Sequence, residues 1–281
     1  MQRLSRQTIL ITGATDGLGR ALALDLAASG ARLLVHGRDA ARGERTLADI
    51  REQTGNERLL FLRADLAELA QVKRLADEIV AASAELDVLV SNAGIGTSVP
   101  GGGARLQSTD GIELRFAVNY LAGYLLTRAL LPLLRATANA AGSARIVQVS
   151  SAGQMPIDFD DVMLRRNYSG VQAYCQSKLA QIMFTFDLAQ ALDGTGVSAN
   201  ALHPATYMPT KIVPTPVSSI ADGVRATRRL IAEPELEAVS GRYFNTTREA
   251  RADEQAYDPR ARARLRECSD QLLASAGVAV S

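Results

Sequence analysis

The chain has 281 residues, 47% of them apolar and 22% charged, with 31 basic against 30 acidic side chains for a formal net charge of +1. That is enough apolar material for a large buried core, and it excludes disordered, collagenous and disulfide-scaffold classes. The near-neutral balance leaves no electrostatic footprint for nucleic acid or an anionic membrane, and seven Tyr, six Phe and no Trp disfavour a stacking platform for single strands.

Short apolar runs alternate with longer amphipathic ones along most of the length. Strands are predicted at Thr8–Thr12, Arg32–Gly37, Leu59–Arg63, Asp87–Ser91, Arg145–Ser150 and Ser198–His203. Helices are predicted between them, at Leu18–Ser29, Ala40–Thr54, Leu69–Ala84, Phe116–Arg135 and Ala173–Leu192. Runs of four to six apolar residues without strict alternation suit strands buried on both faces. Strand–helix alternation of this kind gives a parallel sheet with right-handed crossovers. The expected fold is α/β: a Rossmann-type doubly wound parallel sheet of about seven strands, with helices on both faces.

Two stretches break the rhythm. Gly94–Gly111 is rich in Gly, Ser and Thr, and Ala205–Ser219 is rich in Pro and Thr. Both follow the C-terminal ends of predicted strands, where open α/β sheets place their ligands. They read as site loops, and Ala205–Ser219 as a lid. The Arg-rich tail after Arg242 reads as partly helical, solvated surface. No apolar run reaches the roughly 18 residues of a membrane span; the closest, Tyr120–Leu134, contains Arg128 and Pro132. Met1–Gln7 lacks a long apolar stretch, so neither a signal peptide nor an anchor is expected. Cys175 and Cys268 lie far apart and make no metal spacing, which suggests a reducing compartment. A cytoplasmic protein without membrane contact is expected.

The segment Thr12-Gly13-Ala14-Thr15-Asp16-Gly17-Leu18-Gly19 joins the first strand directly to the first helix. Glycine lets the backbone turn sharply and approach a ligand closely. A helix start offers free N–H groups and a positive dipole end, which suits a diphosphate. No Gly-Lys-Ser/Thr follows, so this is not a P-loop. The second strand ends His36-Gly37-Arg38. In dinucleotide folds an acid near this tip accepts ribose hydroxyls, whereas an Arg accommodates a 2′-phosphate. Arg38 therefore favours NADP(H) over NAD, with Asp39 as the competing signal.

Tyr174-Cys175-Gln176-Ser177-Lys178 sets Tyr and Lys four apart, on one helix face. An adjacent ammonium favours phenolate and makes the phenol usable as a proton donor near neutral pH. The chain has 28 Arg but only three Lys, Lys73, Lys178 and Lys211. Accidental Tyr–Lys pairs at this spacing number about 0.07. Lys178 suggests a task that the fixed, always-charged guanidinium would do poorly. His36 and His203 read as structural, and no metal site is expected.

From about Thr8 to Pro204 the chain resembles the short-chain dehydrogenase/reductase family. The resemblance rests on Thr12–Gly19, Asn92-Ala93-Gly94, Asn119, Ser150-Ser151 and the Tyr174/Lys178 pair, in family order. Ala173–Leu192, Arg145–Ser151 and the spacing from Ser151 to Tyr174 are most similar to the retinol-dehydrogenase-like branch. The resemblance implies a single domain over residues 1–281, with a cofactor half to about residue 150 and a catalytic half beyond it. It implies Tyr174 as general acid or base, and Ser151, rather than Ser150, as the donor holding the substrate oxygen. Lys178 would hold the nicotinamide ribose. Asn119 would bend its helix and anchor a relay water. The implied cofactor contacts are Gly13, Thr15, Asp16, Gly17, Leu18, Gly19, Arg38, Asp65, Leu66, Asn92, Ala93, Gly94, Tyr174, Lys178, Pro204 and Thr206, the last two at the nicotinamide end. Ala205 stands where the family usually has Gly.

The expected activity is hydride transfer between NADP(H) and a carbonyl, or a primary or secondary alcohol, of a medium-sized apolar molecule. A homodimer or homotetramer is the assembly to expect. The missing N-terminal membrane segment weighs against a membrane-derived retinoid. Two alternatives stay open: an NADP(H)-sensing regulator without chemistry, and a lyase or epimerase on the same scaffold. The regulator's expected signature, loss of the Tyr or Lys, is absent.

Overall fold

The structure, a computed structural model, describes residues 4–97, 104–206, 208–209 and 217–278. Six parallel crossovers build the sheet from β1 (Thr8–Ile11), β2 (Arg32–Gly37), β3 (Leu59–Arg63), β4 (Val88–Ser91), β5 (Ala144–Val149), β6 (Val197–His203) and β7 (Arg242–Asn245). A short β8 (Arg248–Ala250) adds antiparallel to β7. Among the described residues the spatial order is β3-β2-β1-β4-β5-β6-β7-β8, so the chain reverses direction across the sheet between β1 and β4. That reversal opens a crevice at the strands' C-terminal ends. The six strands read from the sequence lie where expected, to within a residue at each end.

Period-two alternation divides the core. Ile9 and Ile11 of β1 and Val88 and Val90 of β4 point to one face, under α1 (Gly17–Ala28), α2 (Ala40–Thr54) and α6 (Ile220–Ala232). Leu10 and Leu89 point to the other, under α3 (Leu69–Ala82), α4 (Ala122–Ala141) and α5 (Gly170–Ala191). Helix starts are capped as the sequence dictates. Asp39 accepts from the Arg42 N–H, and Ser219 and Asp222 form a reciprocal capping box at α6.

The predicted helix Phe116–Arg135 begins as a π-helical stretch, Phe116–Leu121, before α4 proper. Phe116–Ala141 is long and apolar enough to cross a membrane, but 61% of its most apolar window is buried inside the protein. It is packed here as a core helix. The Arg-rich tail divides. Arg242–Ala250 forms the β7–β8 hairpin, and Pro259–Ser275 forms α7. This last helix is not merely solvated surface. It buries Leu265 and Leu273, and Ser269 and Asp270 hydrogen-bond Tyr120 and Tyr124. The β7 pairing was hidden because only Tyr243 and Phe244 of that strand are buried.

Candidate active site

A cleft of about 810 Å³ lies at the crevice where strand order reverses. That volume is in the range of small-molecule and cofactor sites. The sequence-predicted residues Gly13, Thr15 to Gly19, Arg38, Asp65, Leu66, Asn92 to Gly94, Ser151, Tyr174, Lys178, Pro204 and Thr206 all line it. Asn119 does not. It is 2% exposed and sits behind the wall.

The glycine turn is built tightly. Gly13 has φ +64°, and a Cβ there would come within 2.8 Å of the Ala93 Cα. A Cβ on Gly19 would lie 2.3 Å from the Gly13 carbonyl oxygen and 2.5 Å from Asn92 Nδ2. Asn92 Nδ2 donates to the Thr12 and Gly13 carbonyls, and Thr12 Oγ1 accepts from the Asn92 and Ala93 N–H groups. The β1 turn and the β4 tip are thus one locked unit that presents backbone to the cleft. His36 supports it from below. Its Nδ1 accepts from the Gly13 N–H, so its Nε2 is the nitrogen that donates to the Ala64 carbonyl. Burial lowers the imidazole to about 4, which keeps it neutral in this role. The structural reading of His36 is therefore upheld, although it also lines the cleft.

At the β2 tip Arg38 is exposed beside the cleft. Asp39 spends its carboxylate on the helix: the Arg42 N–H bond and nearby arginines hold it below the ordinary carboxylate range. Arg42 also lines the cleft, 3.6 Å from Asp16.

Tyr174 and Lys178 stand on α5, with the Lys178 Nζ 5.8 Å from the Tyr174 ring centre. Lys178 is buried, and Nζ donates to the Val149 carbonyl at 3.0 Å and to Gln181 Oε1 at 2.9 Å. Desolvation lowers the ammonium from 10.5 to about 7. Burial, and secondly the Lys178 charge, also lowers His203, whose Nε2 bonds Thr206 Oγ1.

The two serines differ in their partners. Ser150 Oγ donates to the Lys178 carbonyl and is used up inside the wall. Ser151 Oγ accepts from the Gly153 N–H at 3.0 Å, which leaves its own proton to donate. A Cβ on Gly153 would touch both Ser151 Oγ, at 3.5 Å, and the Tyr174 ring, at 3.8 Å, so the two flank one spot.

Asn119 Oδ1 accepts from the Ile95 N–H, and Nδ2 donates to the Ile95 carbonyl and Ser177 Oγ. It ties the loop after β4 to the π-helical turn and to α5. A Cβ on Gly94 would lie 3.3 Å from Asn119 Oδ1 and 3.5 Å from Lys178 Nζ, so all three meet there.

Gln181 and Tyr243 were not singled out by the sequence, and the bond that ties His36 to the glycine turn was not foreseen. Tyr243 Oη donates to the Ser151 carbonyl from β7, 92 residues away, and no local pattern announces such a bond. The lid expected at Ala205–Ser219 falls largely on residues 207 and 210–216, outside the described residues.

A doubly wound sheet with a glycine turn at its reversal point and a Tyr–Lys helix beside it defines a nucleotide-crevice protein of the α/β class. The comparisons make this specific. The short chain dehydrogenase family profile matches residues 7–216. The chain is 34% identical to human retinol dehydrogenase 14 over 302 aligned positions, covering 95% of this chain and 86% of the relative. It is 34% identical to human retinol dehydrogenase 13, covering 92% and 82%. It superposes on the Pseudomonas aeruginosa RhlG/NADP active-site complex with TM-score 0.69 at 25% identity, over 85% of this chain and 94% of that one. A short chain dehydrogenase of Shigella flexneri complexed with NADP gives TM-score 0.67 at 26% identity, over 86% and 97%. This chain belongs to the short-chain dehydrogenase family of oxidoreductases, in its retinol-dehydrogenase-like branch.

Proposed function

We propose that the chain is an NADP(H)-dependent, cytoplasmic oxidoreductase that interconverts a carbonyl and an alcohol on a medium-sized apolar molecule. The observation that carries this is the meeting, in one cleft, of a locked glycine turn with Ser151, Tyr174 and a buried Lys178. The glycine turn fits a diphosphate, because a side chain at Gly19 would fill the cradle. Arg38 supports the 2′-phosphate form, since Asp39 is engaged as a helix cap rather than as a ribose acceptor. When bound, the nicotinamide supplies the hydride.

The chain's own residues do the rest. Ser151 donates a hydrogen bond to the substrate oxygen and fixes its position, keeping its own proton. Tyr174 gives that oxygen its proton in reduction and takes it back in oxidation. Lys178, with two donors committed to Val149 and Gln181, turns its remaining N–H toward the cleft to hold the ribose. A proton relay passing Asn119 fits the meeting of that residue with Lys178 at Gly94. Ile95, Leu114, Val118, Val171 and Met208 line the cleft, which suits an uncharged apolar substrate and agrees with relatives named for retinol.

The test is NADPH consumption across a panel of aldehydes and ketones. Tyr174→Phe should bind NADPH nearly normally and lose about two to four decades of turnover. Arg38→Asp should weaken NADPH far more than NADH. Full activity in the first variant, or equal cofactor affinities in the parent protein, overturns the corresponding assignment.

A further inference from the structure

We propose that Gln181 is a positioning residue for the reaction: its side-chain carbonyl holds Lys178 protonated and aimed, and so sets the pH range over which Tyr174 works. The inference rests on the functional reading above. Gln181 lies three residues after Lys178 on α5, and both are buried. Around it on the same helix are Leu179, Ile182 and Met183, all fully buried core residues. An amide placed there costs free energy unless it is bonded, and its Oε1 accepts from Lys178 Nζ at 2.9 Å.

Lys178 needs such a partner. The titratable groups facing it are Tyr174 on the same helix and His203 at the end of β6. The β5 end brings Val149, Ser150 and Ser151; the loop after β4 brings Gly94; and the π-helical turn brings Asn119. No carboxylate forms an ion pair with Lys178 among the described residues. Two neutral carbonyls, from Val149 and Gln181, therefore support the buried charge. A neutral acceptor suits this position better than an acid would. It stabilises the ammonium without cancelling the positive field at the phenol.

Two substitutions separate this role from simple packing. Gln181→Met keeps much of the volume and removes the acceptor. Gln181→Glu keeps the acceptor and adds a negative charge. The alkaline limit of NADPH affinity reads Lys178, and the alkaline limit of turnover reads the pH range over which Tyr174 works beside a charged ammonium. Met should move the Lys178 limit down by about one pH unit, a tenfold change in its proton affinity and the scale of one lost charge-assisted hydrogen bond, and should move the turnover limit down with it. Glu should move both up, because its carboxylate holds the Lys proton more strongly. If Met leaves the Lys178 limit where it was while the protein stays folded, the proposal is overturned. Should the Met variant not fold, the Glu variant decides alone: two upward shifts support the role, and no shift overturns it. A parent protein that binds no NADPH defeats the functional reading instead, and an NMR titration of the Lys178 ammonium in the cofactor-free protein still tests Gln181.

Discussion

Replacing Lys178 by Met should make the cofactor-free protein more stable at neutral pH while abolishing its chemistry. Desolvation takes the ammonium from 10.5 to about 7; at about 1.4 kcal/mol per pH unit, that is about 5 kcal/mol. For a cation whose folded value lies below its unfolded one, the cost is full below about pH 7, where both states carry the proton. Between about 7 and 10.5 the unfolded chain binds more protons, so wild-type stability rises with pH. Met abolishes this dependence but forfeits the hydrogen bonds to Val149 and Gln181, about 1 kcal/mol each. The variant should therefore be about 3 kcal/mol more stable than wild type at pH 6, equal to it near about pH 9, and about 1 to 2 kcal/mol less stable above about pH 10. Urea unfolding at several pH values across this range, without ligand, reads the difference. At pH 6 the gain corresponds to about 5 °C in Tm for a chain of this length. A difference that stays constant with pH, or a wild type that is the more stable at pH 6, would refute the reasoning.

Two further expectations concern the walls of the cleft. Gly19→Val places a branched side chain 2.3 Å from the Gly13 carbonyl and should weaken NADPH at least 100-fold, about 3 kcal/mol, in a fluorescence titration; normal binding would remove the glycine turn from the site. Arg115 is fully buried and donates to the Gly96 and Thr97 carbonyls and to Tyr168 Oη, while Glu113 accepts from Tyr168 and lies 3.7 Å from the guanidinium. Arg115→Met strands the Glu113 charge and should cost about 3 to 5 kcal/mol in urea unfolding; a loss under about 1 kcal/mol would show that the network is expendable.

The sheet was legible wherever a strand is a continuous apolar run. Arg32–Gly37, buried on both faces, and the half-buried edge strand Leu59–Arg63 are strands to the residue. The hairpin at Arg242–Ala250 was not legible, because its short strands are largely exposed and flanked by arginines that read as surface. Helix α6 was not legible although its start carries a capping signal, Ser219 with Asp222 three residues on, because it directly follows a proline-rich stretch that reads as a loop. Within the site, the legible residues were those whose chemistry demands one side-chain type at a fixed spacing. Tyr174 and Lys178, in the roles proposed for them, are of that kind. Gln181 and Tyr243 bond Lys178 and the Ser151 carbonyl; any acceptor or donor at the right place would make such bonds, so type and spacing carry little signal.

Helix α5 shows why the site and the core cannot be separated. It is covered by the sheet on one side and by the π-helical turn, the 3-10 turn Glu254–Tyr257 and α7 on others, so 13 of its 22 residues are buried. A helix in that position gains most from apolar side chains all round. Instead it buries Gln176, Ser177, Lys178 and Gln181, each bonded to a named partner: the Pro156 carbonyl, the Tyr174 carbonyl, the Val149 carbonyl and Lys178 itself. Four satisfied polar groups in one buried stretch contribute less than four leucines would, and Lys178 is a net cost. Their bonds run to the loop after Ser151, to the helix carrying the phenol and to the ammonium. The stability given up in the middle of the core therefore goes into fixing the face of α5 that carries Tyr174 and Lys178, as the proposed reaction on a rigid element requires.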